Sequence, residues 1–296
     1  MKNYSLFLSR VLLLAGSVAF PHIWHTFAQA ECLDDIRKAG VLTAGNALLG
    51  ARPSLWQEQD GTYRGIDADL LQEITKRLGI PRWQFIITEW TTLIPGLKVG
   101  RWDIVLSDQT ITEERMFYGH ITYSHPYFLL YDRIIVLGNS PFHTVADLKN
   151  ATLGSVLGTT DSLMAHSLVD KGLAAKVSDF NTFGDPFVAL RNGQIDAIVV
   201  DQATLKAQKE HFVDLRTLGP PIFYDAKPAW KEAQAKASYK LGSEGIVVRA
   251  NCPRLLHEIN RAMDSMKQDG TIRTILKRYN VWEELEDNLT QNEQAE

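Results

Sequence analysis

The chain has little of what builds most chemical centres. Only two cysteines, Cys32 and Cys252, occur in 296 residues, and they form no C-x-x-C pair. That removes the thioredoxin-like redox motif. The eight histidines fall at no metal-ligand spacing, so no metal centre is expected. No glycine-rich loop is placed to cradle a phosphate, and no nucleophile elbow is present. Basic residues are not in excess: 31 Lys and Arg against 35 Asp and Glu give a net charge of −4. A mildly acidic surface argues against nucleic acid and against an anionic membrane as partners. Internal repeats and low-complexity segments are missing too. Beyond the amino terminus no hydrophobic run approaches a membrane-spanning length.

The apolar run at the start, Val11 to Phe20 (VLLLAGSVAF), follows Lys2 and Arg10 and precedes Ala28-Gln29-Ala30. A positive beginning, a short apolar run and an A-x-A site spell a secretory signal peptide over residues 1–30, cleaved near Ala30. The remainder is expected to be periplasmic or secreted, and its length suits one large domain or two medium ones. In an oxidising compartment an even cysteine count favours a Cys32–Cys252 disulfide over two unpaired thiols. Glu31 is a poor fit to the small residue that precedes a lipidated cysteine.

Elements alternate in α/β fashion. Strands are expected at Val41 to Gly45, Trp83 to Ile87 and Ile104 to Leu106. Ile66 to Leu78 carries apolar residues at helical spacing and is closed by Gly79, and Thr91 to Val99 reads as a short helix. A second unit begins near Ile134, with strands at Ile134 to Leu137, Thr152 to Val156, Val177 to Phe180 and Ile195 to Val200. Gly245 to Val248 is a further strand, and a long helix starts at Pro253. His120 and His125 flank Tyr123 in an expected edge loop. Two α/β units with two chain crossings predict two lobes, a hinge and a cleft between them.

The most informative segment is Gly100 to Phe128. Ile104-Val105-Leu106 gives way abruptly to Ser107-Asp108-Gln109-Thr110, and Arg115 follows at the start of a helix. Hydroxyls and N–H groups at a strand's carboxyl end stand where open α/β sheets bind ligands. An arginine close behind supplies a fork of donors shaped for a carboxylate. The alternative for Arg115 is a surface ion pair with Glu113 or Glu114. Asp201 ends an apolar strand, and Thr159 and Thr160 open a helix. For these three the alternative is helix capping, and for Trp90 it is a place in the core.

Four segments carry a resemblance to a known family. They are Cys32 to Gly45 (CLDDIRKAGVLTAG), Gly61 to Leu71 (GTYRGIDADLL), the W…LIP-x-L…G-x-x-D…T-I-T-x-x-R…S-x-P-Y series from Trp90 to Phe128, and Asn192 to Asp201 (NGQIDAIVVD). In this order and spacing the chain resembles the extracellular solute-binding proteins of ABC importers, the polar amino-acid group of family 3. The resemblance implies a two-lobed α/β fold of the type II periplasmic-binding kind. Lobe one would be residues 31–131 plus 244–296, and lobe two residues 132–243. It implies that Arg115 holds a ligand carboxylate, aided by Thr110 and by Thr160 and Thr159. Asp201 would accept from the ligand's ammonium, Ser107 is a further ligand-binding candidate, and Trp90 would pack a side-chain pocket or cover the ligand. A monomer is expected, with no cofactor and no catalysis, docking on a membrane ABC permease.

Two departures bear on the solute. Asp108 stands where the family has a small residue, and Ala51 and Ser54 occupy a stretch that often carries an aromatic. A second carboxylate beside Asp201 suits an amine-rich ligand; the alternative is that it neutralises Arg115, which would count against an α-amino acid. The resemblance also admits a periplasmic cyclohexadienyl dehydratase. Ser162 stands where that enzyme's catalytic glutamate is expected, leaving Asp161 or Asp108 to substitute. An accessory or signalling binding protein on the same fold is the other alternative.

Overall fold

The computed structural model describes residues 32–282 apart from 49–50, 210, 226 and 233–241. The expected signal peptide and the polar carboxyl-terminal tail lie outside the described residues. Two five-stranded sheets form the frame. The first orders its strands Arg82–Ile87, Val41–Asn46, Ile104–Val105, Val247–Arg249 and Ile121–Tyr123. The second orders Lys176–Phe180, Thr152–Val156, Ala197–Asp201, Asp132–Leu137 and Leu215–Ile222. In both, three parallel strands are followed by one that runs the opposite way and by an edge strand paired antiparallel to that one. The central parallel strands are buried on both faces, so they read as unbroken apolar runs.

The sheets are joined where the chain crosses between them. Phe128–Leu129 pairs antiparallel with Ser243–Glu244, and all four residues are buried. This short ribbon is the hinge element of the two-lobed fold. On the first lobe, helices Cys32–Ala39, Ile66–Leu78, Pro253–Gln268 and Thr271–Arg278 pack their apolar stripes into one core. The expected Cys32–Cys252 disulfide is formed there, with Cα atoms 5.7 Å apart. Among the described residues no helix is long and apolar enough to cross a membrane.

Gly65 sets one approach that matters for the site. Its φ of 123° and the 2.3 Å that would separate an added Cβ from the Ser54 carbonyl oxygen leave room for glycine alone. The Ile66 and Asp67 N–H groups then donate to the Pro53 and Ser54 carbonyls, pinning the loop to the helix start.

Two local expectations differ from what is found, and one strand was not foreseen. The unforeseen strand is Leu215–Ile222, which contains Gly219-Pro220-Pro221. It lies at a sheet edge with an irregularity between Leu218 and Ile222, where proline is tolerated. Ile121–Tyr123 is the edge strand of the first sheet rather than a loop, with His125 Nδ1 2.6 Å from the Asp264 carboxylate. The expected helix from Thr91 to Val99 is a 3-10 turn, Trp90–Thr92, followed by helix Leu93–Lys98.

Candidate functional site

A narrow cavity lies between the lobes. The first lobe contributes Leu48, Trp90, Asp108 and Thr110. The second contributes Thr159, Thr160 and Asp161 from the start of helix Thr160–Asp170, and Asp201 from the end of its strand. Asp132, Tyr131, Phe183 and Tyr224 complete much of the wall. The cavity therefore sits outside the carboxyl ends of the parallel strands of both sheets, where such sheets bind ligands.

Thr110 and Thr160 face each other across the cleft with their hydroxyls 2.9 Å apart. The Thr110 hydroxyl also donates to Glu244 Oε1 of the hinge ribbon at 2.9 Å. Trp90 Nε1 donates to the Gly158 carbonyl at 3.1 Å, and its ring meets Phe183 edge-on at 5.7 Å. These contacts link one lobe to the other, so the cleft is closed.

Six of the eight residues singled out in the sequence line the cavity: Trp90, Asp108, Thr110, Thr159, Thr160 and Asp201. Two do not. Ser107 is fully buried, and its Oγ accepts from the Ala47 N–H at 3.0 Å, shaping the loop behind the wall. Arg115 faces an outer groove. Its guanidinium donates to the Thr110 carbonyl at 2.9 Å and to the Gly158 carbonyl at 3.1 Å, one on each lobe. The capping alternatives also hold: Asp201 Oδ1 accepts from the Thr204 N–H and Thr159 Oγ1 from the Ser162 N–H. Asp201 combines capping with lining the cavity.

Asp108 accepts from the Ser54 hydroxyl at 2.5 Å and from the Tyr127 hydroxyl at 3.3 Å. Burial pushes its carboxyl up to about 6 against those two hydrogen bonds, with the Asp201 charge adding to the rise. Asp132 is raised to about 8, first by burial and then by Asp201. Burial also raises Asp161 and Asp201, and Asp132 adds to the effect on Asp161. Behind the wall, Asp67 and Glu244 are fully buried and raised for the same reason, each with Asp108 as the next cause.

Asp132, which the sequence reading passed over, is the direct cross-strand partner of Asp201. Its strand runs antiparallel, so its first residue lands beside the last residue of the next strand. Only a correct strand pairing finds it.

The family model for bacterial extracellular solute-binding proteins, family 3, matches residues 48–281. The chain belongs to that family. A probable histidine-binding protein of Campylobacter jejuni is 29% identical over 228 residues, covering 76% of this chain and 79% of that relative. Among solved structures, an ancestral arginine-binding protein bound to arginine superposes with a TM-score of 0.68 at 29% identity, covering 81% of this chain and 98% of the other. An ancestral amino acid-binding protein that is a precursor of cyclohexadienyl dehydratase superposes with a TM-score of 0.68 at 27% identity, covering 84% and 99%. The two-lobed fold with its interlobe cleft is thus the family's fold.

Proposed function

We propose that the protein captures an amino acid or a related small amine between its lobes and presents it to a membrane ABC permease. The observation that carries this reading is the interlobe cavity with Asp201 in its wall and the Thr110 and Thr160 hydroxyls meeting across it. A buried carboxylate is the natural acceptor for an ammonium group, and threonine hydroxyls at a helix start complement whatever polar group lies opposite. In this reading residues 1–30 export the chain to the periplasm. Lobe one is residues 31–131 with 244–296, lobe two is residues 132–243, and the hinge ribbon lets them close on the solute.

The protein performs no chemistry in this reading. A prephenate-like acid is anionic, and four carboxylates line the cavity with no Lys or Arg among its described lining residues. Ser162 donates to Asp179 at 2.6 Å and faces the outer groove, away from any reacting group.

A thermal-shift screen against amino acids, polyamines and small carboxylates tests the proposal. An amine-bearing solute at about a hundred times its Kd adds roughly 2.7 kcal/mol to stability. Asp201→Asn should abolish that gain. A screen in which no amine-bearing solute raises the melting temperature would sink the reading.

A further inference from the structure

The four acids of the cavity are more than one ammonium group requires. Asp132, Asp161 and Asp201 stand together on the second lobe, each more than nine-tenths buried. Asp132 and Asp161 lie beside each other, and burial raises the carboxyls of both. No other donor side chain reaches either of these two carboxyls among the described residues. Two buried carboxyls side by side with no basic residue in the cavity wall form an unfinished arrangement: their oxygens are shaped to accept, and a cation between them would complete it. Across the cleft Asp108 presents a further carboxylate from the first lobe, held by Ser54 and Tyr127. The cation that the wall lacks is not supplied by Arg115, whose guanidinium is engaged by two backbone carbonyls at the outer groove.

A metal ion does not fit the arrangement. Among the described residues no group of three acids, histidines or cysteines is close enough to ligate one ion. The carboxylates are divided between the lobes, with apolar and aromatic wall at Leu48, Trp90, Leu130 and Phe183. Separated acids with apolar surface beside them fit an organic ligand with cationic ends and a methylene body.

We infer that the cleft takes a solute with two cationic nitrogens, a linear diamine or a diamino acid, one cation on the Asp132–Asp161–Asp201 group and the other on Asp108. This rests on the solute-binding reading above and narrows it to a ligand class. Each cation supplies the partner that a buried carboxylate otherwise lacks. Because the anchors lie on opposite lobes, a ligand with one cation satisfies only one wall. A two-cation ligand ties the lobes together, so selectivity and closure have the same cause.

Calorimetric titration of the purified protein, freed of bound solute by unfolding and refolding, tests this. The probes are putrescine, cadaverine, lysine and arginine against glutamine and leucine, at one pH. At least one two-cation ligand should bind roughly 100-fold more tightly than glutamine. Asp132→Asn and Asp161→Asn should each weaken that ligand by roughly 10-fold or more, and by more than they weaken glutamine, whose single ammonium keeps Asp201. Both substitutions relieve like-charge crowding, so loss of folding is not expected, and circular dichroism checks it. Binding of diamines or binding restricted to diamino acids would each bear out the inference and identify the source of the second cation. Glutamine or leucine binding as tightly as every two-cation probe would overturn it and leave the solute-binding reading standing. An unchanged preference in both Asn variants would overturn it in the same way. Failure of every probe would overturn both.

Discussion

Ser54 donates to Asp108 at 2.5 Å, so two positions where the chain departs from the resembled pattern answer each other. An aspartate where a small residue is expected needs a donor, and a serine where an aromatic is expected supplies one while leaving space. Asp108→Ser should therefore shift preference from two-cation ligands toward neutral amino acids, by roughly 10-fold in the ratio of affinities. Competition titration of lysine against glutamine checks this, and an unchanged ratio would remove Asp108 from the site. Arg115 poses a second residue-scale question. With one donor on each lobe, it acts as a clasp on the closed form. Arg115→Ala should weaken carboxylate-bearing and carboxylate-free ligands alike, by about 10-fold. A loss confined to carboxylate-bearing ligands would instead make it the carboxylate anchor that the resemblance implies. Asp108, Thr110 and Asp201 were legible as cavity-lining residues because each follows an apolar run that ends at the carboxyl end of a strand, where the cavity lies. Asp132 was not, because it begins an antiparallel strand and reaches the same edge from the other direction.

Helix Thr160–Asp170 owes its start to Thr159, whose Oγ1 accepts the Ser162 N–H at 3.1 Å and whose hydroxyl donates to Val156 at 2.7 Å. Thr159→Ala should cost about 1 kcal/mol in denaturant unfolding. It should also weaken ligand binding, since Thr160 and Asp161 hang on that turn. The disulfide acts on a longer scale. It joins helix Cys32–Ala39 to the residue before helix Pro253–Gln268, across 220 positions of sequence. The Cys32→Ser, Cys252→Ser double variant should lose about 2–5 kcal/mol, read as a lower urea midpoint with a steeper slope, because the unlinked denatured chain exposes more surface. Helices such as Ile66–Leu78 and Pro253–Gln268 are legible from the spacing of their buried residues. The edge strand Leu215–Ile222 is not, because an edge position forgives prolines that a central strand would reject.

The closed molecule gathers Asp67, Asp108, Asp132, Asp161, Asp201 and Glu244 around one cleft, with Tyr127 and Tyr224 beside them and Arg115 on the outer side. Their carboxyls are raised in the folded state, to about 6 for Asp108 and about 8 for Asp132 against a usual 3.8. The folded chain therefore holds protons that the unfolded chain has released. The stability that this provides is fully present below the unfolded value and is lost as pH rises through the folded ones. The slope is as much as about 1.4 kcal/mol per pH unit for each group titrating independently. The melting temperature of the ligand-free protein should fall between pH 5 and pH 8. A saturating two-cation ligand should flatten that fall, because it replaces the protons as the partner of the acids. Thermal scans across that range decide the matter, and a flat ligand-free profile would show that the acids do not share the cleft as described.

By itself the sequence determined the alternation of strands and helices, the two lobes, the disulfide partners and the strand-end residues. These follow from local periodicity, turn chemistry and the count of two cysteines. Only the tertiary structure decided what surrounds the ligand space. The wall is assembled from residues tens of positions apart, on strands of opposite direction and on both sides of a hinge. Asp132 meets Asp201 through strand register, Glu244 meets Thr110 through the crossing of the lobes, and Arg115 turns to the outer groove because two carbonyls wait there. None of these pairings has a signature within a short window of sequence, because each depends on elements brought together by burial of apolar surface elsewhere.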